Sequence, residues 1–355
     1  MKGNALILAN NRLDHNSAKT THGLLRKSDR FVIKGVIDQQ FEGRDAGEVM
    51  DGIHRNIPVY KTIDQALKKS KDKIKYLILG VATAGGIVPQ EMKNTILEGI
   101  KYGLSIVNGL HYKLNKDEQI VYAAIHNKVE LFDIRRSKAR EQLNFWSGKI
   151  YEVKSPIIAV LGTDCAVGKR TTARFIESAI NDFGLKAKMI YTGQTGYLQG
   201  DGYGFIFDST LNDFVSGELE HAIHQCYEKT NSDLILLEGQ SSLFNPSGPC
   251  GAEYLTSGNA KGVILQHIPA RKYFKGWEKF NAEIPSLKDH IEMIKLYGSE
   301  VIAITFNTTG LSKEEAMKIK TQTASELKLP VILPLEEGMD ELITVVKKYM
   351  QDFNQ

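Results

Sequence analysis

The chain has 355 residues, of which 42% are hydrophobic and 25% are charged, and its formal net charge is only +3. These proportions are those of an ordinary globular protein of about two domains, and so small a charge gives no electrostatic reason to expect a nucleic-acid partner. No apolar run approaches the ~18 residues that a membrane-spanning helix needs, so we expect no membrane partner.

The cysteines and the N-terminus indicate the compartment. Cys165, Cys226 and Cys250 fit neither a metal-binding spacing nor a disulfide framework. The first residues lead directly into an apolar run and lack the layout of a signal peptide. We therefore expect a cytoplasmic protein. Independently of these features, we expect it to be a homo-oligomer.

The first part of the chain alternates short apolar runs with helical stretches, for example the stretch from Pro89 to Tyr102. This alternation is typical of a parallel sheet with crossover helices, and it predicts a Rossmann-like α/β domain over residues 1–150. The residues after the first strand, Asn10 to His15, include no glycine that would let the backbone approach a pyrophosphate, so NAD is not predicted. Asp38, at the end of the second strand, is interpreted either as a strand-end cap or as a ribose ligand. The predicted strands are 5–9, 31–37, 76–79 and 105–107.

A hinge is expected near residues 137–155, where a charged helical segment, 137–141, gives way to Trp146-Ser-Gly-Lys149. A second α/β domain, residues 151–355, is predicted to be a doubly wound sheet of the P-loop NTPase type. Its predicted strands are 157–161, 187–191, 234–238, 262–266, 301–306 and 331–333, with helices at 169–183, 212–228, 287–297, 312–327 and 338–350.

The segment from Pro156 to Thr172 is the most informative motif. An apolar strand leads to a loop of small residues, then to Gly168-Lys169 and a helix start, which is the context of a phosphate-binding P-loop. Backbone N–H groups of such a loop surround phosphate oxygens, and the lysine reaches the outer phosphates. The predicted cofactor-binding residues are Thr163, Asp164, Gly168, Lys169, Arg170, Thr171, Thr172 and Asn307.

The motif departs from the strict pattern at two positions. Thr163 stands where the first glycine is expected, because Gly162 comes one residue too early. Arg170 stands where a Mg²⁺-binding hydroxyl should follow the lysine, and Thr171 and Thr172 come later.

Polar residues follow several strands of the second domain, at the edge where open α/β sheets bind ligands. Glu238 ends an apolar strand, as does the acid that orients Mg²⁺ or water in P-loop enzymes. His267 is a second candidate for acid–base catalysis, and Arg271 is a candidate clamp for a substrate carboxylate. Asn307 is placed to read a base edge. The predicted substrate-binding residues are Gln194 and Thr195 in a glycine-rich loop, Asp213, Gln240 and Arg271.

Four segments together resemble the D-glutamate N-acetyltransferase family, long known only as a P-loop domain of unknown function with an N-terminal Rossmann-like domain. They are Gly162–Thr172, Thr192-Gly-Gln-Thr-Gly196, Asp213-Phe-Val-Ser-Gly217 and Glu238-Gly-Gln-Ser-Ser-Leu-Phe244. The resemblance covers nearly the whole chain. It implies transfer of an acetyl group from acetyl-CoA to the amino group of a D-amino acid such as D-glutamate.

A weaker resemblance links the second domain to dethiobiotin synthetase, through Gly162-Thr-Asp164, Val167-Gly-Lys169, Gln194-Thr-Gly196 and Glu238-Gly239. It implies Mg-ATP as the ligand, with Glu238 as a metal ligand. Arg170 departs from that enzyme's pattern, and so does Tyr191, which replaces an expected lysine. Both changes remove groups that stabilise phosphoryl transfer.

Three interpretations therefore remain open: a CoA-dependent N-acyltransferase, an ATP-dependent ligase or kinase acting on a carboxylate, and a nucleotide-binding switch. In the first, the P-loop holds the pyrophosphate of acetyl-CoA without cleaving it, and Arg170 adds charge for a phosphate. Glu238 or His267 deprotonates the substrate ammonium, and Arg271 or Lys169 binds the substrate carboxylate.

Overall fold

A computed structural model describes residues 1–83, 86–200 and 202–353. The chain divides into two compact units, each with its own parallel sheet. One unit comprises Met1–Ser137 and a helix that follows Gly193, and the other comprises Lys138–Thr192 and the chain from Gly202 onwards. No helix in the described residues is long and apolar enough to cross a membrane.

Unit 1 contains a parallel sheet in which six strands are described, in the order β3-β2-β1-β4-β5-β6. The strands are β1 (Gly3–Leu8), β2 (Phe31–Ile37), β3 (Val59–Tyr60), β4 (Tyr76–Leu79), β5 (Ser105–Asn108) and β6 (Leu131–Asp133). The order reverses beside β1, as in Rossmann folds, which confirms the predicted Rossmann-like architecture. The helices of this unit are α1 (Lys19–Arg26), α2 (Ala46–Asp51), α3 (Ile63–Lys69), α4 (Gln90–Lys101), α5 (Glu118–His126) and α7 (Gln194–Gln199).

Unit 2 contains a second parallel sheet, in which seven strands are described in the order β13-β12-β11-β7-β10-β8-β9. The strands are β7 (Ile157–Gly162), β8 (Ala187–Tyr191), β9 (Tyr203–Gly204), β10 (Leu234–Glu238), β11 (Gly262–His267), β12 (Glu300–Phe306) and β13 (Val331–Ile332). Its helices are α6 (Lys169–Asp182), α8 (Asn212–Thr230), α9 (Ala252–Thr256), α10 (Leu287–Leu296), α11 (Lys313–Leu327) and α12 (Asp340–Phe353).

The continuous apolar run of β7 follows from its central place in this sheet. Ile157, Ala159 and Leu161 pack into the core on one face, whereas Ile158 and Val160 pack into the core on the other. Both faces are therefore covered, as in a doubly wound fold, and every residue of the strand is buried.

The pairing of β7 with its two neighbours determines which side chains meet at the ligand-binding edge. Glu238 of β10 is opposite Val160, and Gln266 of β11 is opposite Gly162. Because the strands are parallel, the residues that follow each of them emerge at one edge. That edge carries the predicted P-loop.

The predicted strands and helices of unit 2 agree with the structure to within a few residues, but three features of the chain differ. The segment 137–141 is not a regular helix; it holds a 3₁₀ turn at Arg140–Gln142. The glycine-rich segment after β8 is not only loop, since Gln194–Gln199 form α7. In unit 1, the edge strands β3 and β6 have only two and three residues, too few for their sequences to have indicated them.

The linker at 138–150 packs against α8 through two buried glutamates. Glu218 accepts hydrogen bonds from Lys138 and from the backbone and side chain of Asn144. Glu220 accepts from Ser147 and from the Ile150 N–H. The linker is therefore part of unit 2.

Candidate functional site

The P-loop connects β7 to α6 in unit 2. Its last residue, Gly168, has φ +114°, a conformation that favours glycine, and Ala166 also has a positive φ of 54°. Among the described residues, the backbone N–H groups of 164–168 find no protein acceptor. Together with the N-terminus of the 14-residue helix α6, these donors form a site suited to an anion.

Lys169 is buried and bridges two loops. Its Nζ donates to the carbonyl oxygen of Asp164 at 2.8 Å and to that of Ser241 at 2.7 Å. Ser241 has φ +39°, so the loop after β10 is bent at the residue that meets the lysine. A phosphate that binds here would compete with these carbonyls for the ammonium group.

Arg170 and Glu238 form an ion pair at the edge of the sheet. Arg170 Nη1 is 2.8 Å from Glu238 Oε2, and both side chains are largely buried. The same carboxylate oxygen accepts the N–H of Thr192 at 3.1 Å. Thr192 Oγ1 in turn donates to the carbonyl of Glu238 and accepts from Gln240 Nε2. Glu238 is thus held in place by contacts at both ends of the residue.

The residues that would bind Mg²⁺ in a conventional P-loop do not fit that ion here. Arg170 replaces the hydroxyl, and its guanidinium lies where a cation beside Glu238 would be. The hydroxyl of Thr172 donates to Gln266 Oε1 at 2.5 Å, and Thr171 is half-buried in the first turn of α6. Across the described residues no three His, Cys, Asp or Glu side chains group as metal ligands.

Asp164, a predicted cofactor-binding residue, and Arg271, a predicted substrate-binding residue, form an ion pair with each other. Arg271 Nη1 is 2.8 Å from Asp164 Oδ2 and also donates to the carbonyl of Cys165. Asp164 is fully buried, and its carboxylate also accepts from Asn245 and the N–H of Lys275. Its side chain therefore turns away from the phosphate cradle and into the protein.

His267 lies at the end of β11 and its Nδ1 is 2.8 Å from the hydroxyl of Thr163. Burial, with smaller effects of His290 and Arg271, lowers the pKa of His267 to about 4. The imidazole is consequently neutral near pH 7. Thr163 is also fixed through its N–H, which donates to the carbonyl of Gln266.

Asn307, which was predicted to read a base edge, lies beside the P-loop. Its Nδ2 donates to the carbonyl of Val167 at 3.2 Å, and its Oδ1 accepts from the N–H and hydroxyl of Thr309. Both ends of the amide are thus occupied. Asn307 supports the P-loop from the strand-end loop beside it.

The other predicted substrate residues lie in different places. Gln240 is half-buried next to Thr192, close to Glu238. Asp213 is exposed in the first turn of α8. Gln194 and Thr195 belong to unit 1, where Gln194 Oε1 accepts from Arg135 and Thr195 meets Thr20.

Gly217, the last residue of the segment from Asp213 to Gly217, is required by the packing of the linker against α8. A Cβ on Gly217 would lie 2.0 Å from the carbonyl oxygen of Asn144, so only glycine lets the linker lie this close to α8.

Sequence reasoning missed residues that hold the site together. Gln266 is buried in β11 and its Oε1 accepts from both Thr172 and Thr305. Asn245 and Ser241 connect the loop after β10 to the P-loop. An amide within an otherwise apolar strand was a usable signal for Gln266. Nothing local marked the other two.

The fold and the site define a class: a two-unit α/β protein with a P-loop at the carboxyl edge of its second sheet. Family models match both units, a Rossmann-like domain of unknown function over residues 39–137 and a P-loop domain of unknown function, DUF1611, over residues 144–343. The second match alone spans more than half of the chain. The chain belongs to the DUF1611 family.

Two curated relatives carry a functional name. A protein of Pseudoalteromonas sp. named D-glutamate N-acetyltransferase is 30% identical over 276 residues, and one of Tritonibacter scottomollicae with the same name is 27% identical over 276 residues. Each match covers 76% of this chain and 80% of the relative. These names support an enzyme of the transferase class.

The fold also has an experimental counterpart. The crystal structure of a DUF1611 family protein from Anabaena variabilis superposes with a TM-score of 0.86 at 27% identity, covering 97% of this chain and 99% of that one.

Proposed function

We propose that this protein is an N-acetyltransferase that moves an acetyl group from acetyl-CoA to the amino group of a D-amino acid such as D-glutamate. The names of the two curated relatives support the reaction. The observation that carries the choice of acetyl-CoA over Mg-ATP is the Arg170–Glu238 ion pair at 2.8 Å. It puts a fixed cation where a nucleotide-cleaving P-loop needs a hydroxyl and a metal ion.

In this proposal the P-loop binds the pyrophosphate of the CoA nucleotide. The N–H groups of residues 164–168 and the ammonium of Lys169 supply the donors, and the lysine exchanges its carbonyl partners for phosphate oxygens. Nothing in this role requires cleavage of a phosphate bond. Binding of the nucleotide part of acetyl-CoA positions its thioester for reaction.

The chemical step is attack of a neutral amine on the thioester carbonyl. The C–N bond forms, the C–S bond breaks, and CoA leaves as a thiolate that takes up a proton. A base must remove a proton from the substrate ammonium, and Glu238 and His267 are the two candidates. With a pKa of about 4, His267 is unprotonated near pH 7 but is a weak base. The carboxylate of Glu238 is held by Arg170 and Thr192. Gln240, Asp213, Gln194 and Thr195 remain candidates for substrate recognition.

The second candidate function is a Mg-ATP-dependent ligase or kinase acting on a small carboxylate. The position of Glu238 at the end of β10, next to the P-loop strand, favours it, because ATP-cleaving P-loop enzymes place an acid there. In that case Arg170 would have to release Glu238 before a metal ion could bind.

Chelation separates the two functions. With acetyl-CoA, D-glutamate, ATP and excess EDTA, we expect free CoA thiol and N-acetylated product to accumulate together while no ADP or AMP appears. Arg170→Thr, which restores the hydroxyl of the conventional motif, should weaken CoA binding, because it leaves the buried carboxylate of Glu238 without its cation next to the pyrophosphate. Arg170→Lys, which keeps the charge, is the matched control and should retain more affinity. Mg²⁺-dependent ATP cleavage in step with product would show that the acetyltransferase proposal is wrong.

A further inference from the structure

Three hydrogen-bond donors from two separate segments, the chain after β11 and the loop after β10, converge on the carboxylate of Asp164. Arg271 Nη1 and the N–H of Lys275 each lie 2.8 Å from Oδ2, and Asn245 Nδ2 lies 3.1 Å from Oδ1. The residue is fully buried. A buried carboxylate is costly unless it is paired and hydrogen-bonded, so its retention here needs a reason.

The peptide groups on either side of Cys165 are fixed by cations. The carbonyl of Asp164 accepts Lys169 Nζ at 2.8 Å, and the carbonyl of Cys165 accepts Arg271 Nη1 at 2.7 Å. In a trans peptide the N–H points opposite to the carbonyl of the same plane. The N–H groups of Cys165 and Ala166 therefore point away from Lys169 and Arg271, and within the described residues they have no protein acceptor.

We infer that Asp164 is a positioning residue for the phosphate-binding loop and that it acts through Arg271. Asp164 orients the guanidinium of Arg271, the guanidinium orients the Cys165–Ala166 peptide, and that peptide presents its N–H to the phosphates. The inference rests on the proposed function insofar as the ligand is CoA. It assigns Arg271 to the loop and not to the carboxylate of the amino-acid substrate.

The test is binding of CoA, and separately of ADP, to the full-length protein by calorimetry. Asp164→Asn keeps the size of the side chain but replaces one carboxylate oxygen by an NH₂ group, which cannot accept hydrogen bonds from the surrounding donors. We expect the dissociation constant for CoA to rise about 10- to 100-fold. Arg271→Met should produce a similar rise. The double variant should be no weaker than the weaker single variant, because both changes remove one interaction. Arg271→Lys is the milder second variant if Asp164→Asn does not fold.

Steady-state kinetics distinguish positioning from general stabilisation. We expect the KM for acetyl-CoA to rise in these variants while kcat and the KM for the amino acid stay near wild type. Glu218→Gln is the matched control, since it disrupts another ion pair of a buried carboxylate in unit 2, with the exposed Lys138. It should lower the melting temperature without changing CoA affinity.

Each contrary result has a distinct meaning. Wild-type affinity for CoA in Asp164→Asn would overturn the inference, as would a rise in Arg271→Met confined to the KM for the amino acid. If the wild-type protein bound ADP but not CoA, the proposed function would be wrong, and the same comparison with ADP would still decide the role of Asp164. Binding of neither ligand by the wild-type protein would overturn both.

Discussion

Each sheet has a loop directly after its first strand in the chain, after β1 in unit 1 and after β7 in unit 2. The two loops have the same place in their sheets but differ in what their backbone N–H groups bind. After β1, the N–H groups of Arg12 and Leu13 both donate to Asp38 Oδ2 at 3.0 Å, and Gln40 donates to the other oxygen. After β7, the loop contains its own carboxylate, Asp164, but that side chain faces Arg271 and leaves the loop amides to a ligand. The carboxylate of Asp38 occupies the amides of the loop after β1, which is therefore closed to an anion. The carboxylate of Asp164 faces away from the amides of the loop after β7, which is therefore open to one.

The electrostatics of Asp38 support this interpretation. Burial raises the pKa of Asp38 despite its backbone hydrogen bonds, so its charge is disfavoured by desolvation. The carboxylate accepts the buried N–H of Leu13, which would otherwise have no acceptor, and the part-buried N–H groups of Arg12 and Gln40.

The largest expected effect comes from removing the carboxylate that occupies the amides of the closed loop after β1. Asp38→Ala removes the acceptor of three backbone N–H groups, and we expect the free energy of unfolding to fall by about 4 kcal/mol. Urea denaturation measures it. Asp38→Asn, which keeps one acceptor oxygen, should lose less. Neither variant should change CoA affinity. A fall in CoA affinity as large as that expected for Lys169→Ala would contradict the distinction between the two loops.

An intermediate effect is expected from His267, next to the open loop. Its pKa of about 4 in the folded state lies below the ordinary value of 6.5, so folding favours the neutral form. Its contribution is complete above pH 6.5 and is lost as the pH falls towards 4, which amounts to about 3 kcal/mol. Denaturation of wild type and His267→Asn at pH 7 and pH 4.5 should show a smaller acid loss in the variant. Equal losses would mean that His267 titrates normally. His126→Asn, at an exposed residue of unit 1, is the control.

The smallest of the three effects tests the P-loop lysine directly. Lys169→Ala should weaken CoA binding by about 2 kcal/mol, or roughly 30-fold, because a charge-assisted contact with phosphate is lost. Asn10→Gly, in the loop after β1, is the matched control, since Asn10 has φ +51° and glycine accepts that conformation readily. Calorimetry on both variants should show a loss only in the first. Unchanged affinity in Lys169→Ala would contradict the P-loop assignment.

The sequence predicted the framework of this site better than its contacts. The run Ile157–Leu161 and the Gly168-Lys169 step indicated the strand, loop and helix, because burial on both faces and a glycine at positive φ leave strong local patterns. The pairing of Arg170 with Glu238 depends on β10 lying beside β7, and the pairing of Asp164 with Arg271 depends on the chain that follows β11. Strand order is not encoded locally, so candidate ligand residues could be found while their partners could not.

The placement of α7 has a consequence for how the protein is made. Its residues contact unit 1: Arg30 Nε donates to the carbonyl of Tyr197, and Gln199 Nε2 donates to the carbonyls of Gly23 and Lys27. The ribosome synthesises α7 only after β7, α6 and β8 of the other unit. Domains usually fold in order as they emerge. Here the N-terminal unit must wait, incomplete, until about two hundred residues have left the exit tunnel, and a gene truncated after residue 137 encodes a unit that lacks one of its helices.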